Sequence, residues 1–175
     1  CIVLKINDDL KSLLKIDSVY PPLDESVFNY VFKYRQNVTN LETMADTQQL
    51  NKVIAWLKLN PEATVQVNGF SDEGEFSKVY DDTIMAFIDS MPQYRKTSPD
   101  KIQKRYLRPD MMRAMRIVKF MYDNGISASR LRGTGMKFTS SDRAEASDNM
   151  KCTIQFDFGK RSPYPEEYYR VRKDY

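Results

Sequence analysis

The chain has 175 residues, of which 41% are hydrophobic, 29% charged and 12% aromatic, the proportions of a globular domain rather than a disordered or low-complexity chain. With no His and two Cys, Ser-His and Cys-His nucleophiles are excluded, and a zinc site would have to be built almost wholly from carboxylates. Net charge is +3, yet residues 1–90 carry 8 Lys/Arg against 14 Asp/Glu while residues 91–175 carry 19 against 10, which favours an anionic partner near the C-terminal half.

Cys1 comes first. Removal of a bacterial lipoprotein signal peptide leaves a Cys in that position, so Cys1 is a candidate lipidation site, although Ile2-Val3-Leu4 is more apolar than the usual tether. Ile2 to Ile6 alternates as a short strand, and Tyr20-Pro21-Pro22 is a turn or linker. Val27 to Tyr34, rich in aromatic and β-branched residues, predicts a strand. Leu50, Val53, Ile54 and Leu57 fall at i, i+3, i+4 and i+7. They predict a helix from shortly after Met44 to Asn60-Pro61. Thr64 to Val67 predicts a strand ended by Asn68-Gly69.

Val79 to Met91 predicts a further helix, followed by a basic polar loop up to Leu107. Ala114, Ile117, Val118 and Met121 repeat the helical spacing after Pro109-Asp110, and Asn124-Gly125 is a stop signal. Arg130 to Arg132 begins a strand leading to Gly133 and Gly135. Cys152, Ile154, Phe156 and Phe158 alternate with polar residues as the last strand, with Cys152 packed as a small hydrophobe. The tail after Gly159 mixes Tyr with basic residues. No apolar run approaches the roughly 18 residues that span a bilayer. These elements predict an α+β fold, a small mixed sheet with helices on one face, in which the strand–helix–strand crossovers require some parallel pairing.

The order of short motifs resembles the OmpA-like C-terminal domain, a peptidoglycan-binding module of bacterial envelope proteins. An aromatic strand is followed by a helix ending in Asn60-Pro61, and then by Val67-Asn68-Gly69-Phe70-Ser71-Asp72 where the family has Gly-His-Thr-Asp. Arg113-Ala114 with Ile117 and Met121, then Gly125-Ile126, Arg130-Leu131, Gly133-x-Gly135 and Asn149-Met150-Lys151-Cys152, continue the family order. Phe70 stands for the family's His, Met150 for an Arg, and Pro109-Asp110 for Leu-Ser. The resemblance implies a βαβαββ domain over 27–158 with an insertion at about 75–108, preceded by a segment 1–26 and followed by a tail 159–175.

The resemblance further implies a zwitterionic ligand, the free amino-acid end of diaminopimelate in the peptidoglycan stem peptide. Arg113 matches the family's carboxylate anchor and Asp72 its ammonium anchor, roles that suit a planar guanidinium fork and a carboxylate. Ser71 keeps the hydroxyl of the family's Thr, and Lys151 keeps a second basic position. Beside this stands the plain reading: Asp72 as a turn residue, Arg113 in a surface ion pair with Asp110 or another carboxylate. The function implied is a non-catalytic anchor of an outer-membrane or envelope assembly to peptidoglycan, in the periplasm, with a lipid anchor if Cys1 is modified. The alternative is an OmpA-like scaffold subunit of an envelope complex, its ligand pocket degenerate. Asp72 and Glu73 have no second catalytic group, so no enzyme is expected. Nothing calls for a cofactor or a metal, and the basic run Arg130, Arg132, Lys137, Arg143 lacks the interleaved aromatic residues of a nucleic-acid platform.

Overall fold

Residues 25–72, 74–75, 78–94, 107–137 and 149–157 are described by the computed structural model. Cys1, the Ile2–Ile6 strand, the basic stretch 95–106 and the tail from 158 lie outside the described residues. In chain order the elements are α1 (Glu25–Phe28), β1 (Val31–Lys33), α2 (Met44–Leu59), β2 (Thr64–Ser71), α3 (Asp82–Ser90), α4 (Pro109–Asp123), β3 (Leu131–Lys137) and β4 (Lys151–Asp157). Single 3-10 turns occupy Pro92–Tyr94 and Ala128–Arg130. The strands form one sheet in the order β1-β4-β2-β3. β2 runs parallel to β3, and the other neighbours are antiparallel. The α+β class, the mixed sheet and the inserted helix are as the sequence predicts.

The period of two along each strand decides which face is dry. Phe32, Val65, Val67, Leu131, Cys152, Ile154 and Phe156 are buried on the helix side, while Val31, Lys33 and Arg132 between them are exposed. Helix α4 lies against β2 and β3. Glycine permits this approach: a Cβ on Gly69 would stand 1.9 Å from the Asp110 carbonyl oxygen, and one on Gly133 would meet the Met115 sulfur at 2.6 Å. Helix α2 starts where Thr43 accepts from the Asp46 N–H at 3.0 Å, an N-cap bond. It buries Leu50, Val53, Ile54 and Leu57, the face read from their spacing, together with Trp56.

Two predicted boundaries are corrected. Val27 to Tyr34 is not one strand, because α1 takes its first residues and β1 holds only Val31–Lys33. Its aromatic residues are spent on ring packing: Phe28 meets Trp56 and Phe156 edge-on at 5.4 and 4.7 Å, and Tyr30 meets Phe32 at 4.8 Å. β2 does not stop at Asn68-Gly69 but continues to Ser71. Pairing on both sides, Gly69 with Cys152 and with Gly135, overrides the turn preference of those two residues.

The described part of the segment predicted as an insertion is held at its base and through α3. Val79 and Leu107 exchange backbone hydrogen bonds of 2.6 and 2.9 Å. Between them α3 buries Ile84, Met85, Phe87 and Ile88, the apolar side read from the sequence. Asp81 caps α3 through the Ile84 N–H at 3.0 Å and pairs with Arg116 of α4 at 2.6 Å. After α3, the Tyr94 hydroxyl donates to the Gly133 carbonyl at 2.8 Å and accepts from the Gly133 N–H at 2.6 Å. Gln93 donates to the Leu131 carbonyl at 3.0 Å. These bonds occupy backbone groups of Leu131 and Gly133 at the start of the edge strand β3, and so close that part of the edge to another chain. No helix among the described residues is long and apolar enough to cross a membrane.

Candidate functional site

Three separate pieces of chain meet at Arg113. Helix α4 carries the residue, the end of β2 and the turn after it pass on one side, and the loop 35–38 between β1 and α2 on another. Arg113 has no exposed surface. Its Nε–H donates to the Val38 carbonyl at 2.9 Å, one Nη1–H to the Phe70 carbonyl at 2.9 Å, and one Nη2–H to the Arg35 carbonyl at 3.3 Å. The remaining two N–H groups go to the Glu75 carboxylate, Nη1 to Oε2 at 2.8 Å and Nη2 to Oε1. All five donors of the guanidinium are therefore committed. Its central carbon also lies 4.9 Å from the Tyr34 ring centroid, a cation–π contact.

Glu75 is as fully enclosed as its partner, with 1% of its side chain exposed. Beyond the fork, its Oε1 accepts from the Asn37 N–H at 2.9 Å and its Oε2 from the Asp72 N–H at 3.1 Å. Asn37 points its N–H there from the left-handed backbone region, at φ 62°, which Asn tolerates better than most residues. Gln36 ties the same loop to the turn through the Gly74 carbonyl at 3.0 Å. The result is a seat for one carboxylate, with two guanidinium donors and two backbone amides converging on it, and Glu75 fills it.

Asp72 lies beside the seat. Its Oδ2 accepts from the Gly74 N–H at 3.0 Å, and its Oδ1 from Asn149 Nδ2 at 3.2 Å. Because a carboxylate only accepts, Asp72 fixes the orientation of the Asn149 amide. Asn149 is 7% exposed, and its Oδ1 has no hydrogen-bond partner among the described residues. Ser71 closes β2 opposite Lys137 and is half-buried. Lys151, at the start of β4, holds its ammonium 5.4 Å from the Phe70 ring centroid, so the residue in place of the family's His faces Lys151. Met150, in place of an Arg, is 8% exposed and packs in the core.

The structure thus brings Asp72 and Arg113 to one place, on either side of a third residue that the sequence reading passed over. The alternative reading, a surface ion pair of Arg113 with Asp110 or another carboxylate, is corrected in place and partner: Arg113 pairs with another carboxylate, Glu75, but inside the fold, while Asp110 is buried against Arg108. Arg130 is likewise no free basic residue, since it donates to the Leu57, Asn60 and Ala63 carbonyls at the end of α2. Glu75 was findable. Asp72-x-x-Glu75 has the spacing of a capping box, in which the Glu side chain reaches back to the first residue's N–H. Asn37 left no such signal, because its role depends on a loop brought in from 38 residues upstream of Glu75. An open groove lined by Gln66, Tyr94, Arg132 and Gln155, among others, shares no residue with this site. Among the described residues no group of His, Cys, Asp or Glu could hold a metal ion.

No family model and no curated protein matches the sequence. Solved structures do. The chain is similar to the peptidoglycan-associated lipoprotein from Burkholderia pseudomallei, with a TM-score of 0.52 and 13% identity over 81% of this chain and 100% of that one. The fold is the OmpA-like fold. Further matches are the OmpA-like domain of FopA1 from Francisella tularensis (TM-score 0.47, 12% identity, 73% of this chain and 69% of that one) and the cell wall anchor of the T6SS from Pseudomonas aeruginosa (0.44, 12%, 70% and 72%). Between Asp72 and Arg113 the described residues include α3 and the 3-10 turn at Pro92–Tyr94.

Proposed function

We propose that the protein is a non-catalytic module that anchors an outer-membrane or envelope assembly to peptidoglycan, through the diaminopimelate of the stem peptide. Arg113 would take the ligand's carboxylate, Asp72 its ammonium, with Ser71 and Lys151 flanking. The observation that carries this reading is the seat itself: Arg113 and the Asn37 and Asp72 amides converge on one carboxylate. Structural similarity to a peptidoglycan-associated lipoprotein supports it. On this reading the protein works in the periplasm beside the outer membrane, with a lipid anchor if Cys1 is modified. An intact mass of protein taken from membranes checks the last point, since the mass of the bare polypeptide would remove the lipid anchor.

One observation favours a second reading, a scaffold subunit with a closed pocket. The carboxylate now on Arg113 belongs to the chain. Co-sedimentation with purified sacculi separates the two. The anchoring reading expects wild-type protein in the pellet and Asp72→Ala depleted from it. Equal recovery of both, or of neither, favours the scaffold.

A further inference from the structure

Glu75 meets Arg113 as an incoming carboxylate would. Its two oxygens accept from four donors drawn from three places in the chain: the guanidinium of α4, the Asn37 amide and the Asp72 amide. That saturates the carboxylate, and bidentate guanidinium pairing is the strongest form of carboxylate recognition a protein makes. The residue that supplies it belongs to no regular element. Glu75 hangs from a short turn held by its own N–H on the Asp72 carbonyl at 3.2 Å, by Gly74 on the Asp72 side chain, and by Gln36.

A second feature lies next to it. Among the described residues the Asn149 Oδ1 is a buried acceptor without a donor, on an amide whose other end is spent on Asp72. A buried polar atom left in this state is destabilising, and a donor that reaches it relieves the cost. Asp72 and Asn149 Oδ1 together would receive an ammonium group on the flank of a seat that receives a carboxylate. Those are the two ends of an α-amino acid.

We infer that Glu75 is an internal competitor: it closes a complete site for the free amino-acid end of a ligand, and binding requires the Glu75 side chain to withdraw from Arg113. The inference rests on the proposed reading of Arg113 as the carboxylate anchor. A site whose competent form is only a fraction of the population binds more weakly by that same fraction. Removing the competitor therefore raises affinity, the opposite of what loss of a ligand-contacting residue does.

The test combines two measurements on the full chain. In thermal melts, Glu75→Ala is less stable than wild type, and sodium acetate restores it more than sodium chloride at equal ionic strength, because acetate re-enters the seat. In calorimetric titrations with meso-diaminopimelate, Glu75→Ala binds about tenfold or more tighter than wild type. If Glu75→Ala does not fold, the isosteric Glu75→Gln takes its place in the titration, with the same direction expected. Acetate rescue without any diaminopimelate binding upholds the seat as a carboxylate site and overturns its assignment to peptidoglycan. Equal diaminopimelate affinity in wild type and variant upholds the wall reading and overturns the competitor. No specific rescue by acetate and no gain in affinity makes Glu75 a structural ion pair and overturns the inference.

Discussion

Arg113 is a charged side chain with no exposed surface, and its position is tolerable because each of its five donors has an acceptor and its charge has Glu75. Desolvating such a pair offsets much of its attraction, so the pair is weak evidence of stability, but breaking it is costly. Arg113→Met, which leaves Glu75 buried without its partner, should lose about 3–5 kcal/mol in urea unfolding. Cys152 is the opposite case, a residue whose chemistry burial suppresses. It is fully enclosed, and burial first of all pushes its thiol up to about 12. Iodoacetamide at neutral pH followed by peptide mapping should leave Cys152 unmodified in the folded protein and label it once urea unfolds the chain. That residue was legible as a packed hydrophobe from its alternation with Ile154 and Phe156. Glu75 was not read as a partner of Arg113, because sequence spacing records the local reach from Glu75 to Asp72 but not the helix that supplies the charge.

At the scale of elements, the inserted α3 is held by its first turn. Burial alone would raise the Asp81 carboxyl, but the Ile84 N–H and the Arg116 guanidinium, with other bonds, bring it below the ordinary carboxylate range. A group whose pKa is depressed on folding adds stability above its unfolded value, and loses it as pH falls through the folded one. Asp81→Asn keeps a capping oxygen and removes the charge. It should be less stable than wild type by about 0.5–1 kcal/mol at pH 7, with the gap closing below roughly pH 4. Urea titrations at both pH values measure this. The edge of β3 makes a separate case. Tyr94→Phe removes one hydroxyl that serves both backbone groups of Gly133, so it should cost about 1–2 kcal/mol. It should also raise self-association in sedimentation velocity, since the exposed edge then becomes a template for another strand. Helix faces at i, i+3, i+4, i+7 were fully legible in α2 and α4. The start of β1 and the end of β2 were not, because ring packing and two-sided pairing outweighed local preference there.

For the whole molecule, the order of strand and helix patterns was enough to predict the α+β class and the mixed sheet, and the order of short motifs from Asn60-Pro61 to Asn149 gave the resemblance that implied an inserted helix. Each of those motifs marks a helix end, a close approach or a strand, and their sequence along the chain fixes topology more firmly than any one alone. The candidate site was legible only in part: Asp72 and Arg113 stand out in the sequence, while the carboxylate between them depends on a loop brought in from far upstream. The proposed anchoring requires this chain to bind the free amino-acid end of a wall peptide. Co-sedimentation with sacculi, challenged by soluble competitors, tests it most directly. The prediction is that meso-diaminopimelate releases the protein from the pellet and its dimethyl ester, which lacks the carboxylates, does not. Equal release by both compounds, or retention in the presence of either, would contradict it.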